Sequence, residues 1–404
     1  MIKRNKLKNE GSLIDVLLIL TIFLFAIDFL NKSNYIILIL MFNFSIWMLT
    51  KKRYLYITYE LIVLSICFTL YFLIYKIYNP ISLQSFIVIW IGPIIAYIVG
   101  YHICGEINGI KIKHALLILA FGTFIHGALN MIFFLKKGMD GRHIPDIWSG
   151  IAMTATLQGV LFTMICSLVF YSIFIEKNFG LKLIIIGCVL FSIFSTTQTA
   201  SRSILVIVAI VFMINTILYL FINRYNKKIV KKFLINLVLL IVVAFAIYNV
   251  FDFKNIYQQS PLYKRVHSEY ETELDKDPRF EMYETVIDEM FEYPLGGNKI
   301  QGSLNYAHNL WLDTVIEVGI LPFFILVIYT IMTLITIIKF MKHNGIKKED
   351  KYMVLSIYSA LLLNFSVEPI LQGVPYIFIV MCIINGMTKR VLDQTIYLER
   401  ISKV

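Results

Sequence analysis

Apolar residues in this chain fall into a near-continuous succession of runs about twenty residues long, joined by short polar stretches. A hydrocarbon core about 30 Å thick takes roughly 20 residues of helix per crossing. The chain is 58% apolar and 15% aromatic, where ordinary soluble domains are about 45–50% apolar. It is expected to be all-α: a polytopic transmembrane helix bundle forming one integral membrane domain over 1–404. Twelve runs qualify as spans, at 12–30, 35–50, 54–78, 84–103, 114–135, 151–175, 183–200, 204–222, 233–251, 309–338, 352–370 and 374–388. The first follows a basic start, as in a signal peptide. No small-residue cleavage site follows it, so a retained helix is expected.

A net charge of +11 suggests nucleic acid by amount, but the positions exclude it. Lys and Arg gather in short loops between apolar runs, which is the positive-inside pattern. Twelve spans return both termini to one side, and 25 of the 37 Lys and Arg residues lie there. Both termini are therefore expected in the cytoplasm, anchored most clearly by KKR at 51–53 and NRYNKKIVKK at 223–232. Cys67, Cys104, Cys166, Cys188 and Cys382 all sit inside apolar runs, so neither a disulfide framework nor a cysteine metal site is implied.

This topology puts three distant regions on the outer face: Ser201-Arg202-Ser203 between two spans, the long loop 252–308, and His308 where the run 309–338 begins. Within the loop, Asp277 can cap a helix and Pro278 suits its first turn. Phe280, Tyr283, Ile287 and Phe291 recur at helical spacing, with Glu281, Glu284, Asp288 and Glu292 opposite. That is an amphipathic helix, lying against the membrane or on the bundle. Pro294 ends it, and Gly296-Gly297 makes a turn.

Arg202 stands at the edge of hydrocarbon beside the polar patch STTQTAS. Such an arginine snorkels or holds an anion, and its guanidinium fork matches phosphate oxygens. His308, beside Asn309 at a helix start, is either an interfacial histidine with a satisfied ring or a general base. A helix N-terminus disfavours the imidazolium. Arg279 and Arg265 could close over an anion held by Arg202, or pair with the many loop carboxylates. Glu317 lies nine residues after His308, on the opposite side of that helix, which suits a bond to a neighbouring helix. His126, Asn130 and Glu368 either line a cavity or bond helix to helix.

Taken together, TASRSILV, PRFEMYETVIDEMFEYPLGG and AHNLWLDTVIEVGI resemble, in order and spacing, the motifs of the O-antigen ligase and O-antigen polymerase superfamily. They cover about a quarter of the chain. Tyr283 stands where tryptophan is common, and Gly296-Gly297-Asn298 replaces Gly-x-Gly. The resemblance implies a C-type membrane glycosyltransferase fold and a metal-independent enzyme with no cofactor. Such an enzyme moves glycan from an undecaprenyl diphosphate carrier to an acceptor hydroxyl, outside the bacterial cytoplasmic membrane. Carried over by motif, Arg202 and Arg279 hold the diphosphate and His308 takes the acceptor proton; Arg265, the other loop arginine, is expected to bind the diphosphate with them. Asn309, Glu317 and Tyr283 support them. The implied partners are the lipid-linked glycan, membrane lipids, and a chain-length regulator and flippase of the same pathway.

The superfamily holds polymerases and ligases. The composition, heavy in Ile, Lys, Asn, Phe and Tyr, suits an AT-rich bacterial genome, and the expectation leans to a repeat-unit polymerase for capsule, exopolysaccharide or O-antigen. The alternative is a ligase that transfers finished glycan to a lipid core or protein. From other classes come a lipid-linked oligosaccharide flippase and a non-catalytic scaffold. A carrier would place its site near the midplane, often on paired broken helices, and no such pairing is seen.

Overall fold

The computed structural model describes residues 2–52, 54–80, 82, 86–105, 110–138, 142–250, 257–268 and 278–402. The expected cap at Asp277 lies outside them. The chain is a multi-pass membrane protein. Among the described residues, eight helices are long and apolar enough to cross a membrane: Ser33–Thr50, Tyr59–Tyr78, Ile112–Lys136, Ala155–Phe174, Phe179–Thr199, Ser203–Asn223, Ile320–Lys342 and Pro375–Ile401. Shorter apolar helices cover Leu13–Ala26 and Ile89–Ile103. The runs at 233–251 and 352–370 fall on helices Lys227–Val250 and Lys348–Phe365.

Several boundaries differ from those expected of the sequence. The run 151–175 begins as a helix only at Ala155, because Thr154 caps it by accepting the Leu157 N–H. The residues before it form a short hairpin, His143–Pro145 paired antiparallel with Ala152–Thr154. Lys348–Phe365 stops short of Pro369, where a continuing helix would meet the proline ring. The last helix runs from Pro375 to Ile401, well past the expected end at 388. Lys389 and Arg390 look like a helix end in sequence, yet both are accommodated. Lys389 pairs with Glu60 and Asp393, each at 3.3 Å, and Arg390 lies over the Tyr56 and Tyr101 rings.

The chain forms two compact units, one of Met1–His126, Asp275–Val354 and Phe365–Val404, the other of Gly127–Leu274 and Leu355–Asn364. The first unit is built on the last helix, which is almost wholly buried. It meets Gly92–Ile103 with backbones touching: a Cβ on Gly100 would lie 2.1 Å from the Ile383 carbonyl oxygen, and one on Gly386 would lie 2.2 Å from that of Tyr97. Small residues at a crossing give membrane helices the contact that the hydrophobic effect cannot supply in lipid. The His126 ring bonds the Tyr376 hydroxyl at 2.9 Å, and Glu368 is fully buried.

The second unit ties its helices through amides. The Asn130 amide donates to Gln158 at 3.2 Å, Gln158 donates to the Gly127 carbonyl at 2.6 Å, and Asn364 donates to the Thr163 hydroxyl at 2.6 Å. Among the described residues the loop also carries the helix Pro261–Ser268, which the sequence pattern does not set apart. Ser260 starts it by accepting the Tyr263 N–H at 3.2 Å.

Candidate functional site in the loop and the broken helix

The apolar run 309–338 is two helices, Leu310–Val318 and Ile320–Lys342, broken at Gly319. Gly319 has φ 84°, which side chains rarely adopt. A Cβ there would also lie 2.1 Å from the Pro294 carbonyl oxygen. The loop turn fills the break. Gly297 and Asn298 donate to the Glu317 and Ile316 carbonyls at 3.1 and 2.9 Å, and Ile320 donates to the Pro294 carbonyl at 3.0 Å. The turn thus satisfies backbone groups that a helix end leaves bare.

At the other end of Leu310–Val318, Asn309 is the cap, its side-chain oxygen accepting from Trp311 and Leu312 at 3.2 Å each. Its amide donates to the Ser366 carbonyl at 3.3 Å, and the Tyr283 hydroxyl donates to the same oxygen at 3.4 Å. His308, half-buried, precedes the cap with φ 56°. A non-glycine residue held there costs on the order of 1–3 kcal/mol, and such strain clusters where function needs it.

Asp313 holds it. One carboxylate oxygen accepts the Ala307 N–H at 2.7 Å and the other accepts the Asn309 N–H at 3.1 Å. The His308 N–H bonds the same group. Asp313 is buried. One turn on, Glu317 accepts from the Tyr71 hydroxyl and, at 3.0 Å, from the Gln372 amide.

Arg279, half-buried, opens the helix Pro278–Glu289. The inward stripe of that helix is Met282, Val286 and Met290, packed on Ile300, Ala307, Val315 and Ile316, with Tyr283 at its edge. Phe280, Ile287 and Phe291 are exposed. Of the stripe expected from the aromatic spacing, Tyr283 packs on the bundle, which is otherwise met by the neighbouring Met and Val side, while Phe280, Ile287 and Phe291 face outward.

Arg202 and Arg265 belong to the second unit. Helix Phe179–Thr199 ends on Ala200, itself left-handed at φ 55°, and exposed Arg202 sits at the start of Ser203–Asn223. Arg265 donates to the Ala200 carbonyl at 2.7 Å, so it is fastened to the turn that carries Arg202. Among the described residues, no three His, Cys, Asp or Glu side chains come together as a metal site.

The structure therefore gathers His308, Asn309, Tyr283, Glu317 and the helix of Arg279 in one unit, and Arg202 with Arg265 in the other. Asp313, Tyr71 and Gln372 do not stand out in the sequence. Asp313 does leave a signal: an acid four residues after Asn309 in an apolar run, the spacing of a side chain that reaches back over one helical turn. Comparison with known protein families finds none that matches the chain, and comparison with characterised proteins finds no match either.

The grip of Asp313 is testable without an activity. Asp313→Asn places an amide against backbone donors, and a bond to a charged group contributes about 1.5–3 kcal/mol. Amide exchange in a peptide covering 304–312 is expected to quicken about tenfold or more, with Ile320–Lys342 unchanged. Unaltered exchange would show that other contacts hold His308.

Proposed function

We propose that this chain is a metal-independent membrane glycosyltransferase of about twelve spans. It polymerises undecaprenyl diphosphate-linked oligosaccharide repeat units on the outer face of the bacterial cytoplasmic membrane. One observation carries the reading. The stretches PLGG and HNLWLDTVIEVG, set apart by their resemblance, are hydrogen-bonded into one unit, and its corner is a half-buried histidine held in a strained conformation.

In this reading the acceptor hydroxyl oxygen attacks the anomeric carbon of the lipid-linked glycan. The bond from that carbon to the diphosphate oxygen breaks, its electron pair leaves with the lipid diphosphate, and the configuration inverts. His308 takes the hydroxyl proton as general base. Arg202 and Arg279 stabilise the charge that grows on the leaving group, the main electrostatic task of such a transfer. Arg265 steadies the turn beneath Arg202. Asn309, Tyr283 and Glu317 position the rest.

The test is purified protein in nanodiscs with a lipid-linked repeat unit. Glycan growth with release of lipid diphosphate is expected. Movement of the lipid-linked unit across the bilayer without growth would replace the transferase with a carrier. Arg202→Lys is expected to lose most of the activity, because an ammonium cannot reproduce a bidentate hold on phosphate. Near-normal growth by that variant at equal protein level would reduce Arg202 to a membrane anchor.

A further inference from the structure

The helix Pro278–Glu289 has three sides rather than two. At 100° per residue, Phe280, Ile287 and Phe291, the last in the turn after the helix, fall within about 40° of one another. The buried Met282–Val286–Met290 stripe flanks them on one side, and Glu281, Glu284 and Asp288 on the other. These three large apolar side chains are 58%, 55% and 73% exposed.

The Pro294–Asn298 turn, five residues beyond Glu289, fixes the position of this stripe, because it packs on the end of one span and is hydrogen-bonded to the end of another. The Tyr78 ring, on the last residue of Tyr59–Tyr78, packs on Gly297, where a Cβ would come within 2.7 Å of it. The N–H of Ile320, first residue of Ile320–Lys342, bonds Pro294. Near these ends the two spans present exposed Leu73, Ile77, Leu321 and Phe324, the surface that a membrane-crossing helix turns to lipid. Tyrosines mark both ends of the first span, Tyr54, Tyr56 and Tyr59 at one and Tyr75 and Tyr78 at the other, as aromatic belts do at the two interfaces.

We propose that helix Pro278–Glu289 is seated in the membrane–water interface, with Phe280, Ile287 and Phe291 against the acyl-chain boundary and its acidic edge toward water. The occupant of the exposed stripe is the bilayer itself, continuous with the lipid-facing surface of the two spans. Interfacial helices commonly carry cations that attract anionic headgroups. This one carries acids, so the Met282–Val286–Met290 packing fastens it to the bundle and lipid charge does not recruit it. The seat holds Arg279, in the first turn, at headgroup depth. The importance of that depth for a lipid diphosphate rests on the proposed function; the seat itself does not.

Nitroxide labels on introduced cysteines test it, in protein with Cys188 replaced by alanine and reconstituted in vesicles of phosphatidylethanolamine and phosphatidylglycerol. The other four cysteines are buried. Ile287→Cys and Phe291→Cys lie on the exposed stripe, and Asp288→Cys on the acidic edge, so none removes a packed side chain. Collisions with oxygen are expected to exceed those with a water-soluble nickel chelate several-fold at Ile287 and Phe291, and the order to reverse at Asp288. Nickel collisions at Ile287 and Phe291 equal to those at Asp288 would put the helix in water and overturn the proposal. Weak collisions with both reagents at the stripe would show that protein covers it, a second copy or another chain, and would overturn it equally. Neither outcome depends on glycan transfer, so the transferase reading can fail while this one stands.

Discussion

Replacing His308 by asparagine is expected to stop glycan growth while leaving fold and lipid-diphosphate binding in place. The choice of asparagine follows from the backbone. His308 sits at φ 56°, a region that asparagine enters more readily than other non-glycine residues. Alanine has no such tolerance, so His308→Ala would mix lost chemistry with added strain. The Ala307 and Asn309 N–H groups stay on Asp313 in either variant, since they are backbone groups. Removal of a general base slows the chemical step by about 10²–10⁴-fold. The measurement is binding and extension of a lipid-linked repeat unit by purified protein, with unfolding temperature as a control. Binding retained and growth abolished is the expected pair. Growth at the wild-type rate would end the assignment of His308 as base. Binding lost together with growth, at unchanged stability, would make it a substrate contact.

The crossing helices are legible because hydropathy over twenty residues is a strong signal, and the eight helices among the described residues that are long and apolar enough to cross a membrane each fall on an expected run. The sidedness of the loop helix is not. In water an aromatic residue at helical spacing is driven inward, but the spacing of Phe280, Ile287 and Phe291 suits a bundle face and a membrane face equally. Beside a bilayer that argument loses force, because lipid is as apolar as the protein interior, and Met282 and Val286 take the packed side. The break at Gly319 is hidden for a related reason: the apolar run continues across it, and one glycine in such a run looks like a packing residue. The last helix looks shorter than it is because the partners of Lys389, Glu60 and Asp393, include one more than three hundred residues away in sequence. At the candidate site, the residue types are readable at His308 and Asn309. Their fastening is not, because Asp313 acts on backbone N–H groups and leaves little trace in the pattern of side chains.

Gly319→Ala is expected to damage the protein far more than the same methyl added at Gly138. Two costs coincide at Gly319. A left-handed φ of 84° is strained for alanine by on the order of 1–3 kcal/mol. The new Cβ would also stand 2.1 Å from the Pro294 carbonyl oxygen and 2.7 Å from Leu295 backbone atoms, and forcing atoms into a packed space costs typically about 1–3 kcal/mol more. Neither neighbour can rotate away, because both are backbone and Pro294 is bonded to Ile320. Gly138→Ala separates the two costs: Gly138 has φ 57° with nothing within 4 Å of an added methyl, so only the backbone penalty of roughly 1–2 kcal/mol applies. Thermal unfolding in detergent, with the amount of protein inserted in membranes, reads the difference. Gly319→Ala should fall well below Gly138→Ala on both measures. Equal stability of the two variants would mean that the turn and the broken helix can part without cost. The contact would then be too loose to set the positions of Arg279 and His308, which reach the break from opposite sides through Pro294 and Leu310–Val318.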